Sequence, residues 1–205
     1  MSWSRASDLY RDPDVFKGGI DPSDIKQGLL GNCYFLVCLS SMAEIPGRIE
    51  EMFSHLTREI NDSGIYLVYF YLNGIRTPVV VDDYFPSYNG RIAFSKSNDG
   101  ELWVSILEKA WAKLHGTYAR TAGGMPYFAA NHLTGVPTES FDNAEYLGNR
   151  QKAEELFDRM DEADRKNYTL MAASPGSGER DLGSGIAAGH AYSIVEIHKV
   201  HSQGR

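Results

Sequence analysis

The residues best suited to chemistry are a cysteine early in the chain and a histidine near its end. Cys33 follows Asn32 at the start of an apolar run that stops at Ile45. Asn is a favoured N-cap residue. A helix that starts there places Cys33 in its first turn, where unpaired backbone N–H groups and the positive end of the helix dipole favour an anion. A thiol in that position is predisposed to become a thiolate, the nucleophilic form of cysteine.

His190 lies where a Gly/Ser-rich loop, residues 174–189, enters a strand predicted over 190–200. That position puts its imidazole at the rim of a sheet, beside whatever the loop covers. Imidazole is the side chain that transfers protons most readily near neutral pH. Taken singly, each residue also has a structural interpretation: Cys33 as a small core residue and His190 as a structural histidine.

The elements that must position these residues are a mixture of strands and helices. The runs 65–72 and 75–81 flank Asn73-Gly74, a combination that predicts a β-hairpin. Apolar residues recur at helical spacing over 102–114, which predicts a core helix that includes two tryptophans as packing residues.

The second part of the chain has a different pattern. We predict a polar, acidic helix over 144–163 and a strand over 168–173, ahead of the loop that leads to His190. The sequence Gly-Val-Pro-Thr-Glu at 135–139 marks a change of element. We therefore expect two units, residues 1–135 bearing Cys33 and residues 136–205 bearing His190.

Composition excludes several classes of protein. The chain has 205 residues, is 42% hydrophobic and carries a formal charge of -7, which argues against disorder and against broad attraction to nucleic acid. No segment approaches the roughly 18 apolar residues that a membrane helix needs. Cys33 and Cys38 are too close along one helix, and face too differently, to form a disulfide. We expect a cytoplasmic protein without a nucleic-acid partner or a membrane span.

Five ordered motifs give a family resemblance. Gln-Gly-Leu-Leu-Gly-Asn-Cys-Tyr-Phe-Leu stands at 27–36 and Gly-His-Ala-Tyr-Ser at 189–193. Between them lie Val-Val-Asp-Asp-Tyr-Phe-Pro at 80–86, Leu-Glu-Lys-Ala-Trp-Ala-Lys-Leu-His-Gly at 107–116 and Leu-Thr-Gly at 133–135. With these motifs the chain resembles the calpain family of cysteine proteases. The string Gly-Asn-Cys-Tyr-Phe-Leu looks more like plant or protist members than animal ones, which usually carry Asp and Trp around the cysteine.

The resemblance implies a fold and an activity. It implies an α+β, papain-like fold of two lobes with the active site in the cleft between them, and an intracellular endopeptidase that cuts protein substrates without an organic cofactor. Cys33 would be the nucleophile and His190 its imidazolium partner. Gln27 would match the glutamine of the oxyanion hole, whose side-chain N–H joins the backbone N–H of Cys33.

Calcium is also implied by the resemblance. The part of the family's calcium site that precedes the cysteine maps to the backbone around Lys17 and Gly19 and to the carboxylate of Asp24. Two positions depart from the animal pattern. Ala119 stands where a glutamate completes that site, and Pro22 stands where an arginine links the lobes.

The family's third catalytic residue is an Asn about two dozen residues beyond the histidine, in an Asn-Pro-Trp-Gly motif. The sequence ends at Arg205 and has no Asn after His190. We therefore expect a C-terminally truncated calpain core with an incomplete second lobe. The alternative is a catalytically inactive calpain-like fragment that acts as a protein-binding or regulatory module.

Overall fold

Helices and strands mix along the chain, as an α+β fold requires. The computed structural model describes residues 1–98, 100–178, 180–183 and 185–200. The helices are α1 (Ala6–Leu9), α2 (Cys33–Ala43), α3 (Trp103–Leu114), α4 (Pro126–Thr134) and α5 (Arg150–Arg165). The strands are β1 (Ser2–Arg5), β2 (Ile65–Leu72), β3 (Ile75–Asp82), β4 (Tyr84–Tyr88), β5 (Arg91–Ile92), β6 (Leu170–Ala173) and β7 (Ala191–Ile194).

The predicted hairpin is confirmed. β2 and β3 pair antiparallel, with Leu72 opposite Ile75 at the turn. Asn73 and Gly74 adopt φ angles of 51° and 75°. Both angles lie in the left-handed region that a two-residue type I′ turn needs, and Asn-Gly tolerates that region better than other pairs.

Two further sheets come from segments distant in sequence. β1 pairs with β4, which pairs with β5, and all neighbours are antiparallel. β6 pairs with β7, so Leu170 lies opposite Ile194. The pairing of the N-terminal strand β1 with β4 joins segments more than 75 residues apart, and the local sequence pattern does not predict it.

The predicted core helix is confirmed as α3, which is buried along most of its length. Trp103 and Trp111 are both fully buried. The Trp111 ring stacks on Phe35 of α2, with centroids 4.9 Å apart. The two tryptophans are thus packing residues, and α2 and α3 form the centre of one hydrophobic core.

Two predicted elements differ from the structure, and one helix was not predicted. The helix predicted from residue 144 starts at Arg150, because Asn149 caps it by accepting from the Lys152 N–H. The strand predicted over 190–200 is limited to β7. α4 was not predicted, although Pro126 at its first position and Gly135 in the left-handed region after its end are typical boundary residues.

Two residues of the predicted loop, 179 and 184, and residues 201–205 of the second unit lie outside the described residues. Among the residues that the structure does describe, none belongs to a helix long and apolar enough to span a bilayer.

Candidate active site

Cys33 is the first residue of α2, as the sequence predicts. Asn32 occupies the N-cap position, and its carbonyl accepts from the N–H groups of Phe35 (2.9 Å) and Leu36 (3.2 Å). The Asn32 side chain does not cap the helix, which differs from the usual use of an N-cap Asn. Cys33 is half-buried and not in a disulfide. Its thiol therefore lies at the helix N-terminus with partial access to solvent.

His190 immediately precedes β7, and its backbone is hydrogen-bonded to Ser174. Its N–H donates to the Ser174 hydroxyl (3.0 Å), and its carbonyl accepts from the Ser174 N–H (2.9 Å). Its ring meets the edge of Tyr192, with centroids 5.1 Å apart. β7 in turn packs on α2, where the hydroxyls of Ser193 and Ser40 lie 3.3 Å apart. The contact between β7 and α2 therefore brings the histidine to the helix that carries the cysteine.

Cys33, His190 and Gln27 line one small cavity of about 180 Å³. The structure therefore brings together three residues that the sequence places in widely separated segments. The cavity is completed by Pro22, Ile25, Leu36, Val37, Ser40 and Ser193. A larger cavity, of about 840 Å³, lies near Met42 at the opposite end of α2, and none of the three residues lines it.

Sequence reasoning missed three of these lining residues. Leu36, Val37 and Ser40 follow Cys33 at three, four and seven positions. That spacing places them on the helix face that Cys33 occupies. The signal was available once the helix start was fixed at Cys33.

Gln27 lies on the segment that leads into α2. Its side-chain Nε2 donates to the Leu30 carbonyl at 3.1 Å. A primary amide has two N–H groups, so one contact within the chain leaves a second hydrogen for another acceptor. The Gln27 side chain is thus held beside the cavity by its own local turn.

Cys38 contrasts with Cys33. It is fully buried, and its thiol lies within hydrogen-bond distance of the Tyr34 carbonyl (3.1 Å) and close to the Met171 sulfur (3.0 Å). Burial raises the pKa of this thiol to about 12. Cys38 is therefore a core residue, as predicted, and stays protonated near neutral pH.

The predicted calcium residues lie on the segment before Gln27. Asp24 ends a 3-10 turn, and its carboxylate accepts from the Asp21 N–H (2.8 Å) and the Asn98 side chain (3.3 Å). Gly19 has a φ of 102° and nothing within 4 Å of an added Cβ. Over the described ranges, no group of three or more His, Cys, Asp or Glu side chains could hold a metal ion.

Calcium takes six to eight oxygen ligands, and Asp24 is the single carboxylate of the expected set, with both of its oxygens engaged within the chain. These residues as placed do not fit a calcium ion.

Comparison with known proteins agrees with the motifs. The family model described as calpain family cysteine protease matches residues 1–205. The calpain-type cysteine protease DEK1 of Zea mays is 40% identical over 97% of this chain and 10% of its own length. Calpain-14 of Homo sapiens is 33% identical over 100% of this chain and 29% of its own length. Calpain-A of Drosophila melanogaster is 31% identical over 96% of this chain and 24% of its own length.

The chain thus spans about a tenth of the plant relative and under a third of these animal relatives. The higher identity to the plant protein agrees with the plant-like string around Cys33. A family match over the whole chain, together with these relatives, shows that the chain belongs to the calpain family of cysteine proteases.

Proposed function

We propose that this chain is a calpain-type cysteine endopeptidase core in which Cys33 and His190 cleave peptide bonds. The observation that carries the proposal is the shared cavity: a thiol at a helix N-terminus, an imidazole and a side-chain amide line the same space. These are the three chemical functions that thiol proteolysis uses.

In the proposed reaction the Cys33 thiolate attacks the substrate carbonyl carbon. A C–S bond forms, and the carbonyl electrons move onto oxygen. The Gln27 amide and the backbone N–H of Cys33 donate to that oxyanion. When the tetrahedral intermediate collapses, the C–N bond breaks and His190 gives its proton to the leaving amine. Water then hydrolyses the thioester, with His190 as the base that takes its proton, and the thiolate is restored.

We further propose that the two units, 1–135 and 136–205, are the lobes of a papain-like fold, with protein segments as substrates. Supporting this, Gly135 ends α4 in the left-handed conformation, and the β6–β7 sheet that follows packs against α2. The cavity with Cys33 and His190 then lies at the contact between the lobes, where such enzymes bind substrate.

The test measures iodoacetamide modification of Cys33 against pH, with the modified peptide identified by mass. The parent chain is compared with His190→Ala and with His198→Ala, an exposed histidine of the same region that pairs with Glu196. We expect Cys33 to react well below pH 8, and His190→Ala alone to slow the reaction at neutral pH by about 10-fold or more, because a thiolate–imidazolium pair raises the thiolate fraction.

Cleavage of an unstructured protein substrate is measured in parallel, and Cys33→Ala should abolish it. A Cys33 that reacts as an ordinary thiol in all three proteins, with no cleavage, would overturn the proposal and favour the inactive binding module.

A further inference from the structure

A buried carboxylate lies next to the residues before Cys33. Glu108 belongs to α3, and only 1% of its surface is exposed. Its oxygens accept three hydrogen bonds: from the Asn32 side chain (2.7 Å), the Ser95 N–H (2.9 Å) and the Ser95 hydroxyl (2.6 Å). Burial raises the pKa of Glu108, while these donors oppose the rise. A buried carboxylate is costly to stability unless its oxygens are hydrogen-bonded, as they are here.

One partner of Glu108 is the residue directly before the nucleophile. Asn32 is fully buried. Its side-chain NH₂ donates to Glu108, and its side-chain oxygen does not cap α2. The contact fixes the start of the helix from the side of α3. It also keeps the Asn32 side chain away from the first-turn N–H groups, so Asn32 does not cap these groups.

The other partner, Ser95, belongs to a segment that pairs with the one containing Gln27. Ser95 lies within residues 93–96, and this stretch pairs with residues 26–29. Lys26 and Lys96 exchange backbone hydrogen bonds of 2.9 and 3.0 Å, and the Leu29 N–H donates to the Ala93 carbonyl at 3.0 Å. Gln27 lies between these bonds. Glu108 therefore contacts both segments whose relative position sets the distance from Gln27 to Cys33.

We propose that Glu108 is a positioning residue that fixes Gln27 and Cys33 relative to each other for oxyanion stabilisation. This inference rests on the proposed function. An oxyanion hole works only when its donors lie within hydrogen-bond distance of the developing charge, and loss of one donor costs on the order of 100-fold in kcat. A displacement of about 1 Å costs a similar factor. Glu108 is not among the residues that line the cavity, and it acts through Asn32 and Ser95.

The experiment compares Glu108→Ala and Glu108→Gln with Asp83→Asn. Asp83 is the matched control because it is also a buried carboxylate, but its partner is Arg5 of β1. At temperatures where each variant is folded by circular dichroism, we expect Glu108→Ala to lower kcat for a peptide substrate by about 30-fold or more, with KM changed by less than about 3-fold. Asp83→Asn should change kcat by less than about 3-fold.

Glu108→Gln should recover most of the lost kcat. With the Gln oxygen facing the Ser95 N–H, that backbone bond is kept, and the new NH₂ replaces the oxygen that Asn32 and the Ser95 hydroxyl share. The Asn32 amide can then turn over so that its buried and unpartnered Oδ1 accepts from this NH₂, and the Ser95 hydroxyl turns from donor to acceptor. Should Glu108→Ala not fold, Ser95→Ala removes one of the three donors to Glu108 and leaves the backbone bond in place. It should lower kcat by about 3- to 10-fold, again without a matching rise in KM.

A double-variant cycle locates the effect. If Glu108 acts through Gln27, the kcat losses of Glu108→Ala and Gln27→Ala combine to less than the product of the two. Multiplicative losses, a loss confined to KM, or equal losses in Glu108→Ala and Asp83→Asn would overturn the inference.

Failure of the proposed function gives a different result, because peptidase activity would then persist in Cys33→Ala or be absent from the parent. In that case the rate of Cys33 alkylation tests whether Glu108 positions Cys33. A change of more than about 3-fold in Glu108→Ala but not in Asp83→Asn supports positioning of Cys33, and equal rates refute it.

Discussion

Gly28 lies directly against the backbone of Phe94, so closely that a Cβ added to Gly28 would overlap the Phe94 carbonyl group. The contact explains why a glycine follows Gln27 in a segment that pairs with residues 93–96. It also makes the close approach of these two segments testable without changing a charged or catalytic group.

Gly28→Ala should therefore destabilise the fold. The neighbouring atom is backbone and cannot rotate away, so the two segments must separate, at a cost of about 1 to 3 kcal/mol. Gly31→Ala is the matched control, because an added Cβ there meets nothing within 4 Å, and its effect should stay within about 0.5 kcal/mol. Urea unfolding measures both. Equal stability of the two variants would contradict the close approach.

Cys38 should resist alkylation in the folded protein while Cys33 reacts. Its side chain is fully buried and its pKa is raised to about 12, so modification requires opening of the core. Iodoacetamide labelling followed by peptide mass analysis compares the two sites. In urea both should react at similar rates. Rapid labelling of Cys38 without denaturant would show that the core around α2 opens locally.

Glu101 should make the protein less stable as pH rises through neutrality. Burial, together with the nearby negative charge of Asp24, raises the pKa of Glu101 from 4.5 to about 7. Between these values the folded state binds more protons than the unfolded state, so stability is greatest below pH 4.5 for this group and falls as pH rises toward 7 and above.

Glu101→Gln should remove that contribution. The difference in unfolding free energy between variant and parent is expected to change by on the order of 2 kcal/mol between pH 5 and pH 8. Denaturant melts at several pH values give this difference. A constant difference would show that Glu101 titrates alike in the folded and unfolded chain.

His115 and His132 should have the opposite effect. Their rings stack 5.7 Å apart beside Trp111 and Phe128. Burial lowers both pKa values below 6.5, and the charge of His132 lowers that of His115 further. The unfolded chain then binds more protons near pH 6, so the stability present above pH 6.5 is lost as pH falls below it.

In the double variant His115→Asn and His132→Asn, Tm should fall less between pH 7 and pH 5 than it does in the parent. Each single variant should remove part of the slope, because protonation of one ring disfavours protonation of the other. A slope in the double variant equal to that of the parent would contradict the buried pair as its source.

Calcium should leave Cys33 reactivity unchanged. The family resemblance implies a calcium site that includes Asp24, but both oxygens of Asp24 accept hydrogen bonds within the chain and Ala119 supplies no carboxylate. Alkylation of Cys33 with and without millimolar Ca²⁺ checks this, with Asp24→Asn as the matched variant. A calcium-dependent rise in rate that Asp24→Asn abolishes would establish the implied site instead.

Local sequence signals predicted the elements that carry the site. The Asn-Gly turn, the helical spacing over 102–114 and the helix start at Cys33 all depend on residues within one or two turns of each other, and each was confirmed. The start of the acidic helix was predicted less accurately. The helix expected from residue 144 starts at Arg150, where Asn149 supplies a cap.

The amino-acid sequence by itself determined that Cys33 begins a helix and that Asn32 precedes it at the N-cap position. Only the tertiary structure decided what the Asn32 side chain does: it turns from the helix end to Glu108, a residue 76 positions away. In the same way, the packing of β7 on α2 brings His190 to the cavity of Cys33. Periodicity and capping act over a few residues, whereas these contacts follow from burial of one shared core, which local pattern does not specify.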